Sequence, residues 1–297
     1  MKPSRHFEGP ELSSGYGKSH YNRIGFVTAV QLGLDCLEEI ERMGGVPDLL
    51  ITLSDEIAKK KSGRIYLDDY ANRSGVDLIK TTNINEPEVK DAIKKANLDY
   101  LLVIGWSQIV GHQVFPLIKY GLFGMHPTLL PQGRGRAPIP WTILKGLTKS
   151  GVSMFEIRPD VDSGDIVGVE KFNISSNETS KTLYEKARKA HIRLIRHAWP
   201  ALKAGTLSAK PQDETKASYW PKRSPDDGII TEDMTLEAID RLVRALTHPY
   251  PGAFLIEKEK KLIIWDGVIV ERNFCEAVPK QLIRENFYFM PTQFEWL

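Results

Sequence analysis

Between Arg23 and Gly105 short apolar runs alternate with stretches of helical periodicity, and this alternation constrains the fold more than any other feature of the chain. Arg23-Ile-Gly-Phe-Val-Thr-Ala29 suits a buried parallel strand, and Leu34, Leu37, Ile40 and Met43 then recur at helical spacing up to a Gly44-Gly45 stop. Asp48–Leu53 and Val76–Lys80 read as second and third strands, with Ile57 to Leu67 and its Tyr66 filling the space between them. Pro87–Ala96 reads as a helix with proline at its permissive first turn, and Asp99–Gly105 as the next strand. Such spacing favours a mostly parallel, Rossmann-like α/β sheet covered on both faces and joined by right-handed crossovers. No Gly-x-Gly-x-x-Gly follows the first strand, so a dinucleotide site of the usual kind is unsupported. Ligands of open parallel sheets bind beyond the carboxyl ends of the strands, which is where Gly105-Trp-Ser-Gln-Ile-Val110 falls. The competing reading makes Trp106 and Ile109 plain core residues at a strand end.

Past this half, Gly121–Met125 reads as a strand delivering His126 to a loop, with Pro127 constraining the exit. A Gly-Arg-Gly-Arg turn, a helix Ile139–Leu144, a strand-like Gly151–Ile157 and an acidic turn Asp160-Val-Asp-Ser-Gly-Asp165 follow. Val167–Ile174 reads as a strand, and Thr182–Leu202 as a long helix ending near Pro200 and Gly205. Ala209–Thr215 is polar, carries Pro211 and has no periodicity, so the domain boundary is placed there, giving domains 23–208 and 209–297 after an extended arm at 1–22. In the second domain a helix Leu236–Leu246 precedes short strands at Ala253–Ile256, Lys261–Trp265 and Val268–Val270, the pattern of a small β-barrel-like (OB-like) unit.

The 40 basic and 38 acidic side chains nearly cancel, so no global field argues for a long polyanion such as RNA or DNA, while a small anionic ligand stays compatible. Two cysteines, Cys36 and Cys275, supply neither a disulfide framework nor a metal cluster, which fits a reducing cytoplasm. No apolar run reaches membrane-spanning length and the N-terminus lacks a signal-peptide core, so no membrane partner is expected.

His126-Pro-Thr-Leu-Leu-Pro-Gln-Gly-Arg-Gly-Arg-Ala-Pro138, then Gly151-Val152, then Asp162-Ser-Gly-Asp165, closely resembles the formyltransferases that use N10-formyltetrahydrofolate. That group includes methionyl-tRNA formyltransferase and the nucleotide-sugar N-formyltransferases. Lys222-Arg-Ser-Pro-Asp-Asp227 and Pro249-Tyr-Pro-Gly-Ala-Phe254 resemble the C-terminal domain of the sugar-modifying members, so the resemblance runs from Arg23 to about Val270. It implies N10-formyltetrahydrofolate as co-substrate, no metal, and transfer of formyl to the primary amine of a UDP- or dTDP-linked amino-deoxysugar. Relatives are often dimers, which makes a homodimer one expectation.

Residue by residue, the resemblance implies that His126 and Asp162 are catalytic. Such transfer needs an unprotonated amine, a polarised carbonyl and a stabilised oxyanion, which an imidazole oriented by a carboxylate can serve. The alternative for Asp160, Asp162 and Asp165 is a turn whose acids merely satisfy backbone amides. The folate is expected against Gly105, Trp106, Ser107, Gln108, Ile109, Val110, Leu129, Leu130 and Asp160. Arg134 and Arg136, beside a helix start, suit either an anion or surface acids. Tyr219, Trp220, Lys222 and Arg223 suit either a stacked pyrimidine and its diphosphate or a domain-packing turn.

One departure stands out. Where the family usually carries Asn two residues before the histidine, this chain has Gly124. Replacement donors to consider are the Ser107 or Thr128 hydroxyl, the Gln108 amide, a main-chain N–H, or a water in the space Gly124 leaves. The departure also motivates a rival, a folate- and nucleotide-binding homologue with weakened catalysis. Methionyl-tRNA formyltransferase is the rival within the enzyme class, disfavoured by the near-zero net charge because tRNA binding calls for an extended basic surface.

Overall fold

A computed structural model of the chain describes residues 21–59, 64–257, 259–271, 279–284 and 287–296. The arm expected at 1–22 lies outside these residues except for Tyr21 and Asn22, and so does Cys275. In chain order the elements are β1 (Ile24–Val27), α1 (Gln31–Arg42), β2 (Leu49–Leu53), α2 (Asp55–Ala58), α3 (Asp68–Ser74), β3 (Leu78–Thr81), α4 (Pro87–Ala96), β4 (Tyr100–Val103), β5 (Gly121–His126) and β6 (Arg134–Gly135). There follow α5 (Pro138–Leu144), β7 (Lys149–Glu156), β8 (Ile166–Asn173), α6 (Ser180–Ala204), β9 (Tyr219–Trp220), α7 (Leu236–Leu246), β10 (Ala253–Glu257), β11 (Lys260–Glu271), β12 (Ile283–Arg284) and β13 (Phe287–Trp296).

The large sheet has the order β3-β2-β1-β4-β5-β7-β8. The pairs β2/β3, β1/β2, β1/β4 and β4/β5 are parallel and β5/β7 is antiparallel. All residues of β1, β2 and β4 are buried, as expected of strands covered on both faces, and this explains why they read as unbroken apolar runs. One core cluster joins Val27, Leu49, Ile51, Leu101 and Leu122 of the strands to Val89 and Ile93 of α4. Each such side chain contributes about 1.5–3 kcal/mol relative to exposure. Burial of α1 is not wholly apolar: Asp35 is bridged by both Nε (2.5 Å) and Nη2 (2.9 Å) of Arg188, and Glu39 accepts from Nε of Arg196 at 2.5 Å. These pairs fix the register of α1 against α6.

The long helix expected over Thr182–Leu202 is found at Ser180–Ala204, with Pro200 inside it and Leu202 buried beyond the proline. The strands expected separately at Lys261–Trp265 and Val268–Val270 are one strand, β11. Asp266-Gly267, a hairpin signal by sequence, forms an irregularity in the ladder with β13, and a Cβ on Gly267 would lie 2.2 Å from the Phe289 ring. Tertiary packing overrides the local turn signal in this strand. The C-terminal strands make an antiparallel sheet in the order β10-β11-β13-β12. Helix α7, capped by the Thr235 hydroxyl accepting from Ala238 N, packs on this sheet and on α5 and buries Ile239, Leu242 and Val243.

Packing density divides the chain into two compact units. The first takes in the chain up to His126, Val152–Glu170 and Arg188–Lys216; the second takes in Pro127–Gly151, Lys171–Ala187 and the chain from Ala217. Among the described residues no helix is long and apolar enough to cross a membrane, and no group of three or more His, Cys, Asp or Glu is placed to hold a metal ion.

Candidate active site

In the first unit β5 pairs with β4 and β7 and terminates at His126, whose register partner on β7 is Ser153. Both residues are buried, His126 at 7% exposure and Ser153 at 0%. The acidic turn after β7 brings Asp162 to the same place, with its Oδ2 3.6 Å from Nδ1 of His126. That separation is longer than a hydrogen bond but within ion-pair range, and catalytic contacts are commonly loose before substrate binds. Asp162 has φ of 50°, a left-handed conformation unusual for a residue with a side chain. The turn is pressed on the end of β7: Glu156 N donates to Asp165 O at 2.9 Å, and a Cβ on Gly164 would lie 1.7 Å from the Glu156 carbonyl oxygen. Arg158 binds Glu156 Oε2 at 2.7 Å and Asp165 Oδ2 at 3.1 Å. Asp165 is therefore occupied by an arginine, and Asp160 is exposed, its carbonyl accepting from Ser163 Oγ. Of the three aspartates, Asp162 is the one paired with the histidine.

The loop after β4 lies in the same unit. Gly105 adopts φ of 69° with its α-carbon so close to Val30 that a Cβ would come within 2.4 Å of Val30 Cγ2. The loop is clamped to the segment after β3: Gln108 Nε2 donates to Thr82 O (2.7 Å) while its Oε1 accepts from Ile84 N (3.1 Å). Asn85 Nδ2 donates to Ile109 O (3.0 Å) and its Oδ1 accepts from Gly111 N (2.6 Å). The Gln108 carbonyl oxygen and one of its two amide N–H donors are thus used to shape the loop. Ile109 is 72% exposed, Ser107 is exposed, and Val110 is buried. Trp106 combines both readings: its ring packs on the core, yet its buried indole N–H has no acceptor among the described residues. An orphaned donor beside an exposed isoleucine fits a flat heterocycle carrying hydrogen-bond acceptors.

Gly124 shares the face of His126, two residues along the strand. A Cβ there would meet Ile157 Cδ1 at 3.2 Å, Ile157 Cγ1 at 3.3 Å and Phe155 Cε1 at 3.5 Å. The space is apolar and tight. It suits neither an amide nor a water, which needs two to four polar partners.

In the second unit Leu130 is buried and Leu129 half-buried. The Gly-Arg-Gly-Arg segment, expected as a turn, instead contributes β6, paired in parallel with β9. Arg134 is fully buried, with Nη1 donating to Tyr219 Oη at 2.9 Å and its guanidinium 5.6 Å from that ring's centre. Trp220 is buried too and packs so closely on Gly133 that a Cβ there would lie 2.8 Å from its ring. Arg136 and Lys222 are exposed, as is Tyr219 over most of its surface. The cluster centres on a residue the sequence reading passed over, Trp141. Its indole N–H donates to Pro221 O at 2.9 Å, and its ring faces both the Arg223 guanidinium (4.9 Å) and the Lys145 ammonium (5.6 Å). Arg223 donates to Asp227 O, but among the described residues its buried Nε has no acceptor and it makes no ion pair; burial holds its pKa below the usual arginine range against the opposing pull of Asp227. A desolvated cation on an aromatic ring without a carboxylate partner suits an anionic ligand.

Residues 53–198 match the profile of the formyl transferase family, and residues 222–284 match that of the formyl transferase C-terminal domain, together more than half of the chain. The chain belongs to the formyltransferase family. Among solved structures, the N-formyltransferase from Helicobacter canadensis, in complex with folinic acid and dTDP-3-aminofucose, superposes with a TM-score of 0.68 at 17% identity, covering 91% of this chain and 98% of that one. Methionyl-tRNA formyltransferase from Clostridium thermocellum gives 0.61 at 18% identity, covering 93% and 99%. A variant of HypX from Aquifex aeolicus gives 0.65 at 14% identity, covering 93% of this chain and 46% of the longer HypX chain. At these identities the superpositions establish a shared fold for this formyltransferase, and the acceptor has to be argued from its own residues.

Proposed function

We propose that this formyltransferase moves the formyl group of N10-formyltetrahydrofolate to the primary amine of a UDP- or dTDP-linked amino-deoxysugar, with His126 and Asp162 as the catalytic residues. The observation that carries the reading is the pairing, at 3.6 Å, of buried His126 at the carboxyl end of a central strand with half-buried Asp162. The amine attacks the formyl carbon, a C–N bond forms, and the bond from that carbon to N10 breaks as the tetrahedral adduct collapses. His126 takes the proton the amine loses and returns one to N10, while Asp162 on the Nδ1 side orients the ring and balances its transient charge. The folate ring is assigned to residues 105–110, with the Trp106 indole N–H as donor, and to Asp160.

The acceptor side of the proposal leans on Trp141, Lys145 and Arg223, together with Tyr219 and Lys222, as a cationic and aromatic surface for a nucleoside diphosphate. Arg136, exposed, is assigned to the same surface, whereas Arg134 and Trp220 support it from within. The near balance of 40 basic against 38 acidic residues favours this acceptor over a tRNA. A domain boundary at 208/209 and assembly as a homodimer belong to the same proposal. The test is a mass-spectrometric assay for gain of one formyl group across a panel of amino-sugar nucleotides and initiator methionyl-tRNA. Formylation of the tRNA alone would overturn the acceptor assignment, and no formylation of any amine would favour the weakened homologue.

A further inference from the structure

The segment Ala209–Thr215, which by sequence is a featureless linker, carries a side chain into the turn that bears Asp162. Lys210 and Ile166 exchange both backbone hydrogen bonds, at 2.7 and 2.9 Å, which seats the segment beside the start of β8. From there Nε2 of Gln212, half-buried, donates to two carbonyls of the acidic turn, Asp162 O at 2.8 Å and Gly164 O at 2.6 Å. All of these residues lie in the first unit.

We infer that Gln212 is a positioning residue for the reaction: its amide holds the Asp162 backbone in the left-handed conformation that points the carboxylate at His126. The opposite side of the turn is fixed by contacts with β7, namely the Glu156 N to Asp165 O bond and the close approach of Gly164 to the Glu156 carbonyl. Those contacts secure residues 164 and 165. Gln212 reaches the carbonyl of Asp162 itself, at the point where φ is 50°. Without its two donors the 161–163 backbone can relax toward the ordinary right-handed region, and the carboxylate then swings from Nδ1. A nearby glutamate would not substitute, because a carboxylate has no donor for these carbonyls. This inference rests on the His126–Asp162 assignment above.

The experiment follows the His126 ring by NMR at one fixed pH in protein carrying 13C-labelled histidine, with the His126 resonance identified by its loss in His126→Gln. Spectra are compared for the wild type, Gln212→Ala, the isosteric Gln212→Glu, Asp162→Asn and the Asp162→Asn/Gln212→Ala double variant. A Gln212 that works through Asp162 moves the His126 resonance in the wild-type background and leaves it where it is in the Asp162→Asn background. In parallel kcat falls by about 10- to 100-fold in both Gln212 variants with KM for the folate unchanged, and Tm records that each is folded. An equal shift in both backgrounds, or none in the wild type while Asp162→Asn moves the resonance, overturns the role of Gln212 and leaves the His126–Asp162 pair standing. If Asp162→Asn itself leaves the His126 resonance unmoved, the pair assignment fails and this inference falls with it.

Discussion

Gly124→Asn is the most demanding perturbation of this site, because the family motif and the packing make opposite predictions for it. By motif alone the asparagine restores a missing donor, and in comparable oxyanion holes one such amide is worth about 3 kcal/mol, or 10²- to 10³-fold in rate. The packing says that the room is already taken, since the new Cβ would press within 3.2 Å of Ile157 Cδ1 and 3.3 Å of its Cγ1 before any amide atom is added. Overfilling costs about 1–3 kcal/mol, and an amide left unpaired among Ile157 and Phe155 costs about 1–3 kcal/mol more. At roughly 2–4 °C per kcal/mol for a chain of this size, Tm should fall by roughly 5–20 °C. Gly124→Asn alone is therefore expected to lose stability and to gain nothing in kcat, whereas Gly124→Asn/Ile157→Ala, which removes both opposing atoms, should recover part of the Tm and raise kcat. Thermal melts and steady-state formyl transfer measure the two quantities. A single Gly124→Asn variant that melts with the wild type and turns over at least tenfold faster would refute the reasoning.

His126→Ala should lower kcat by about 10²- to 10⁴-fold, the usual worth of a general acid–base group, with Tm nearly unchanged; retained turnover would remove His126 from the mechanism. Arg223→Ala should raise KM for the nucleotide-sugar about tenfold, equivalent to roughly 1.4 kcal/mol, while leaving kcat and the folate KM in place. Glu39 is held below the usual carboxylate range first by its hydrogen bond to Arg196 and then by Arg42, against the opposing effect of burial. A depressed folded-state pKa stabilises above the unfolded value and loses that contribution as pH falls through the folded one. Arg196→Ala should therefore lower Tm at pH 7, by the few degrees that an ion pair with one half-exposed partner is worth, and the difference should close as the pH drops below the glutamate range. A difference that persists unchanged at pH 3 would assign the effect to packing of the arginine stem.

Much of the first half of the fold is readable from periodicity, because its strands are buried on both faces and its helices on one. Pro87–Ala96 coincides with α4 and Leu236–Leu246 with α7, where apolar spacing and the starting residue agree. Helix α3 was not legible as a separate element, since its seven residues Asp68–Ser74 carry only Tyr70 and Ala71 into the core. Gln212 had no local signal at all: a polar residue in an aperiodic stretch becomes meaningful only when the chain returns to a turn some fifty positions earlier. Trp141 lies between the His126 and Asp162 motifs, yet its partner Arg223 lies 82 positions further along the chain, and the ring contact has no counterpart in spacing.

The amino-acid sequence by itself determined the alternating strands and helices and nominated His126 and Asp162, because burial patterns and short motifs are local properties of a chain. Tertiary structure alone decided that the two meet at 3.6 Å, that Gln108 braces its own loop, and that Ile157 occupies the room beside Gly124. Those outcomes depend on which side chains arrive from distant positions to fill or satisfy a given space. Packing density and hydrogen-bond satisfaction are properties of that assembled space.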